Sequence, residues 1–229
     1  MVMAMRFQGE MMHKSALTYA RHFFDTYAGH LPELRVMDLG ALDVNGSLRD
    51  VAPANISYVG VDFAEGKGVD VILNDAYALP FEDQSFDACV SSSCFEHADF
   101  FWLTFNEVMR VLKPHGLFYV NAPSNGIFHR YPVDCWRFYP DAAGALARWG
   151  RRSGYDPMVL ECFWGKQGGD GWNDYVAVFV KDRSEAKRFP KRIVNSIREF
   201  TNGMVDEEEK VLNFDRLPED KRRIRLLKR

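Results

Sequence analysis

The 229 residues contain no CxxC pair, and Cys89, Cys94, Cys135 and Cys162 stand far apart. This excludes a dense disulfide scaffold and a zinc-ribbon spacing; the four read as reduced, mostly core thiols of a cytosolic protein. No run approaches the ~18 apolar residues of a membrane span. The opening MVMAMRFQGEMMHK has neither a sustained apolar h-region nor a small-residue cleavage site. An excess of positive charge is also lacking: 29 Lys/Arg face 32 Asp/Glu, a formal net charge of −3. Nucleic acid is therefore not an expected partner. No repeat or low-complexity tract interrupts the chain. A soluble, cytoplasmic protein with one substantial core is expected.

What is present is an alternation of strand and helix. Residues 12–28 carry Leu17, Ala20, Phe23, Phe24 and Tyr27 at helical spacing. Short apolar runs follow at 34–40, 57–63, 69–74, 86–93 and 115–123, with helical patterns at about 99–112 and 141–153. The runs at 158–165 and 174–181 make a final strand pair, joined by the glycine-rich GKQGGDGWN. Such alternation predicts a mostly parallel sheet covered on both faces, with a ligand crevice at the strand ends. Residues 182–229 differ, carrying +4 against −7 for residues 1–181. Phe189, Ile193, Ile197 and Phe200 lie near helical spacing there, so residues 182–229 are read as a docked helical appendage and charged tail, apart from a domain at 1–181.

The strand ends carry the chemistry. In VMDLGALDVNGSL (36–48), Asp38 precedes Gly40, where a bare backbone permits close approach of a ligand. Asp38 is placed to receive an ammonium group, although glycines after a strand also serve as simple entry turns. Asp62, with Phe63 after it, ends the second strand 24 residues later. A carboxylate there suits paired ribose hydroxyls, and equally a helix N-cap. The G-x-G-x-x-G of a NAD-binding fold is absent.

NDAYALPFEDQSFDACVSSSCFEH (74–97) resembles the D-A-x-x-L-P-F-x-D-x-S-F-D stretch of class I S-adenosylmethionine-dependent methyltransferases of the type-11-like group. EVMRVLKPHGLFYVNAPS (107–124) resembles their R-x-L-K-P-G-G turn, with His115 at a glycine position. The glycine pattern G-x-G-x-G departs, since Leu42 and Val44 replace two glycines. The resemblance implies a three-layer Rossmann-like α/β sandwich with seven mostly parallel strands, the last antiparallel. It implies S-adenosylmethionine as cofactor, held by Asp38, Gly40, Asp62 and Phe63, with Asp75 and Ala76 flanking the adenine. Ser91 and Ser92 would line the crevice.

The acceptor side is read from NAPSNGIFHRYPVDCWRFYPD (121–141), a long loop without clear period. His129 is the first candidate for general base, His97 the second and Asp134 the third. Tyr131, Trp136, Arg137 and Tyr139 are candidates for binding a polar ring such as a sugar. The same aromatic residues also suit a satellite cluster beneath the loop, and His129 a structural role. This segment resembles, more loosely, methyltransferases of surface-glycan modification. His129 and Asp134 alone do not make a metal site, so no metal is expected. The expected reaction is O-methylation of a small-molecule or glycan hydroxyl. An inactive, cofactor-binding partner subunit using its tail is the alternative, with nucleic-acid methylation ranked below both.

Overall fold

A computed structural model describes residues 14–216, except 32–33, 45, 55, 76 and 168–170. Eight strands form one sheet: β1 (Arg35–Leu39), β2 (Ser57–Asp62), β3 (Val71–Ile72), β4 (Phe86–Ser92), β5 (Leu112–Pro123), β6 (Met158–Gly165), β7 (Asp174–Val180) and β8 (Phe200–Val205). Their order across the sheet is β3-β2-β1-β4-β5-β7-β6-β8. The β3/β2, β2/β1, β1/β4 and β4/β5 pairs are parallel, and the pairs beyond β5 antiparallel. The strand order reverses between β1 and β4, so their C-terminal ends flank a crevice.

Both sheet faces are covered, which explains why β4 and β7 are buried along their whole length and read as continuous apolar runs. Helix α1 (Lys14–Tyr27) buries Ala16, Tyr19, Ala20, Phe23, Phe24 and Tyr27. It packs on one face with Val36, Val90, Leu117 and Val178. On the other face lie α2 (Phe101–Val111) and α3 (Asp141–Arg152), through Phe105, Val108, Met109, Ala143, Leu146 and Ala147. The result is a three-layer sandwich.

The sheet has one strand more than expected, and the extra strand comes from the segment read as a helical appendage. Phe189, Ile193 and Val194 are indeed buried, but from 3-10 turns at Arg183–Arg188 and Ile193–Asn195. Pro190 sits inside the expected helix, where it removes a donor and clashes with the preceding turn. The backbone amides of Ile193 and Val194 bond instead to buried Glu161 of β6, whose carboxylate also accepts from Tyr27 Oη at 2.5 Å. Strand β8 then covers the outer edge of β6, with Gly165 opposite Phe200 and Cys162 opposite Met204. The charged end of the tail, 217–229, lies outside the described residues. No helix among those described is long and apolar enough to cross a membrane.

Candidate active site

Several residues of the 74–124 motifs build the scaffold. The Arg110 guanidinium bonds the carbonyls of Leu79 and Phe81 and the carboxylates of Asp83 and Glu107, at 2.7–3.0 Å. Glu107 accepts from Leu79 N at 2.8 Å. The R-x-L-K-P helix thereby locks the L-P-F-x-D turn. Asp87, fully buried, accepts from Arg35 N and from Lys113 Nζ at 2.9 and 3.0 Å, and His115 Nε2 lies 3.2 Å away. His115, at the family's glycine position, thus joins the same carboxylate.

The crevice at the ends of β1 and β4 is lined by Asp38, Gly40, Ala41, Leu42, Gly46, Ser47, Leu48 and Ser92. Gly40 has φ +85°, and a Cβ there would stand 2.7 Å from Cys94 Cβ, so only glycine fits. Asp62 Oδ2 accepts from Leu42 N and Oδ1 from Ala64 N, each at 3.1 Å. The residue expected to meet ribose therefore also pins the loop after β1, and its remaining lone pairs stay open to a ligand. Asp38, 4% exposed, accepts from Tyr58 Oη at 2.8 Å, and burial pushes its pKa up to about 7. A buried carboxyl with a raised pKa beside a crevice gains by pairing with a cation. Ser92 Oγ is buried without a partner, whereas Ser91 Oγ donates to Leu39 O at 2.9 Å and ties β4 to β1. Asp75 caps its own turn through Tyr77 N, Phe63 is exposed, and Ala76 lies outside the described residues. These groups fit a polar ligand bearing an amine and hydroxyls.

Past β4, a 3-10 turn at Phe95–His97 carries two more polar side chains. His97 Nδ1 stands 2.5 Å from Val133 O, an arrangement that leaves Nε2 as the lone-pair nitrogen. That Nε2 faces Glu96 Oε1 at 3.7 Å. Glu96 is 1% exposed, burial pushes its pKa up to about 8, and its Oε2 has no hydrogen-bond partner. Burial also holds the His97 pKa below its ordinary value.

The 124–139 loop folds over this turn, with Cys135 N and Trp136 N donating to Glu96 O. Asp134, 1% exposed, receives two bonds from Arg137 and one from His129 N, and the guanidinium holds its pKa down to about 2. Such a carboxylate is a poor base. Arg137 also bonds the carbonyls of Ile127 and Trp136, so the residue expected to bind acceptor holds the loop together. His129 Nδ1 lies 3.4 Å from Asp134 Oδ2 and 3.5 Å from Arg137 Nη2. Its ring meets those of His97 and Trp172 edge-on at 5.0 and 4.9 Å. A Cβ on Gly126, at φ +110°, would strike Trp172 at 2.0 Å, which fixes that approach.

Of the expected acceptor residues, Trp136 packs on Phe101 and Trp102 and donates to Ala98 O at 2.9 Å, a satellite cluster with its ring edge exposed. Tyr131 and Tyr139 are each 56% exposed. His97, the second candidate base, touches His129 and the Val133 carbonyl of the acceptor loop. Sequence reasoning missed Glu96, Tyr58 and Trp172; only the Glu-His pair gave a signal, since the other two contacts cross between elements.

Residues 26–120 match the family described as "Methyltransferase domain". A demethylmenaquinone methyltransferase of Renibacterium salmoninarum is 33% identical over 140 residues, which cover 57% of each chain. The chain thus spans little more than half that relative's length. Among solved structures, a Burkholderia thailandensis 1,6-didemethyltoxoflavin-N1-methyltransferase with S-adenosylhomocysteine superposes at TM-score 0.56 with 14% identity, covering 74% of this chain and 80% of its own. The [4+2]-cyclase SpnF superposes at 0.55 with 15% identity, over 76% and 84%. Taken with the crevice and the shared sheet, the conclusion is that residues 26–120 match a methyltransferase domain, in a chain with the fold of class I S-adenosylmethionine-dependent methyltransferases.

Proposed function

We propose that the protein methylates a hydroxyl of a small polar acceptor, a sugar or glycan, with His129 as the proton-removing group. The observation that carries this reading is the meeting of His129 with His97 of the turn after β4, ring centroids 5.0 Å apart, with His129 Nδ1 3.4 Å from the buried Asp134 carboxylate. S-adenosylmethionine supplies an activated methyl group on a sulfonium, so the protein's work is positioning and proton removal. Asp38 would receive the amine of the cofactor's amino-acid end, Asp62 its ribose hydroxyls, and Ser92 Oγ would gain a partner. Ionised Asp134 orients the His129 ring and stabilises the imidazolium that forms when the acceptor proton is taken. The exposed ring of Tyr131 meets that of His97 at 6.4 Å, and Tyr139 and Trp136 expose further aromatic surface on the same loop, a combination suited to a sugar ring.

A panel of free sugars, nucleotide sugars and glycans, read by S-adenosylhomocysteine formation, tests the reading. Turnover that depends on one of these acceptors and fails with its deoxy analogue is expected. Turnover only on quinols or on amines would overturn the sugar assignment, and bound cofactor without turnover on any acceptor would favour a silent subunit.

A further inference from the structure

Glu96, His97 and His129 each offer a ligand atom, and these atoms all lie within 4.8 Å of one another. We propose that the three side chains bind a divalent first-row cation. Two imidazoles and one carboxylate are a donor set that suits Zn²⁺, Co²⁺ or Fe²⁺ and leaves coordination positions open, while Mg²⁺ and Ca²⁺ favour oxygen donors throughout.

Three independent features of the surroundings agree. Ring nitrogens that ligate metals have their other N–H fixed by a carbonyl or carboxylate, which sets the tautomer. His97 Nδ1 has the Val133 carbonyl at 2.5 Å, which fixes its ring. Glu96 brings an oxygen with no hydrogen-bond partner into a buried position, an arrangement that costs free energy unless something fills it. Finally, the spacing is close to what a cation needs. Two ligands of a tetrahedral ion at 2.0–2.1 Å stand about 3.3 Å apart. Glu96 Oε1 and His97 Nε2 are already at 3.7 Å. From within 4.8 Å, His129 has to close by up to about 1.5 Å, and as a loop residue with a side chain 36% exposed it has room to do so.

A cation here and a free His129 base are alternative states of the same three side chains. With the cation in place His129 would be a ligand and not a base. Binding does not depend on which acceptor is used, so its test is made without turnover.

Untagged full-length protein, stripped with a chelator, is titrated with Co²⁺ by visible absorption and with Zn²⁺ by calorimetry. One equivalent per chain with a d–d band is expected, with no binding of Mg²⁺ at equal concentration. Loss of a partner that merely orients a ligand costs 10–100-fold in affinity, so His97→Ala and His129→Ala should each weaken binding by at least about 100-fold. His30→Ala, at a half-buried histidine packed on Phe189 and apart from these three side chains, should leave it unchanged. Glu96→Gln, which keeps the buried shape, should remove the Co²⁺ band while the melting transition persists. Absence of saturable Co²⁺ and Zn²⁺ binding would overturn the proposal, as would binding that survives both histidine substitutions.

Discussion

The loops after β1 and β5 leave the same edge of one sheet and use their polar groups in opposite ways. Around the first, Asp38 and Ser92 are buried with their polar atoms turned to a crevice, Asp38 with a raised pKa and Ser92 with an unpartnered hydroxyl. Around the second, Asp134, Arg137 and the His129 backbone satisfy one another, leaving rings and imidazoles at the surface. The β1 side is thus arranged to gain from a charged, hydroxyl-bearing ligand. On the β5 side a self-contained frame presents a few groups to whatever docks. The fold alone does not set the chemistry at either loop, since the sheet superposes on both a methyltransferase and a cyclase.

Five substitutions or titrations test this contrast, from the largest expected effect down. His129→Ala should lower the chemical rate by about 10²–10⁴ while cofactor affinity stays nearly constant, as read by single-turnover kinetics and calorimetry. His97→Ala should cost less, acting through the lost tether to Val133; a larger effect than that of His129→Ala would move the base to the turn after β4. Asp87→Ala leaves Lys113 without its buried partner, and unfolding by denaturant should show a loss of about 3 kcal/mol. A full loss of activity at unchanged stability would instead make Asp87 a site residue.

Asp62→Ala should weaken cofactor binding by ~1–3 kcal/mol, through lost ribose bonds and a loosened Leu42 amide. The smallest effect is in pH. With its pKa raised to about 7, Asp38 is mostly ionised at pH 8 and mostly protonated at pH 6. An amine needs the ionised form, so cofactor affinity should fall about tenfold from pH 8 to pH 6, and Asp38→Asn should flatten that dependence.

The fold was legible because periodicity and strand-end residues are local signals. β1, β2, β4 and both later helices fall within a few residues of their apolar patterns. The missing strand β8 was hidden by Phe189, Ile193 and Phe200, whose spacing mimics a helix until Pro190 is weighed. Asp38, Gly40 and Ser92, all named from the strand ends, line one crevice. The acceptor side resisted because its roles depend on contacts across the chain. Arg137 looks like a ligand-binding cation in sequence, and only the fold reveals that Asp134 and two carbonyls consume it. Glu96 and His129 are 33 positions apart, and no spacing rule joins them.

The central claim, that the crevice between β1 and β4 is a cofactor site, is tested most directly by calorimetry with S-adenosylhomocysteine. Binding of one equivalent per chain near the micromolar range, weakened by Asp62→Ala and unchanged by His129→Ala, is the predicted result. No measurable binding by folded protein, or binding indifferent to Asp62, would contradict it.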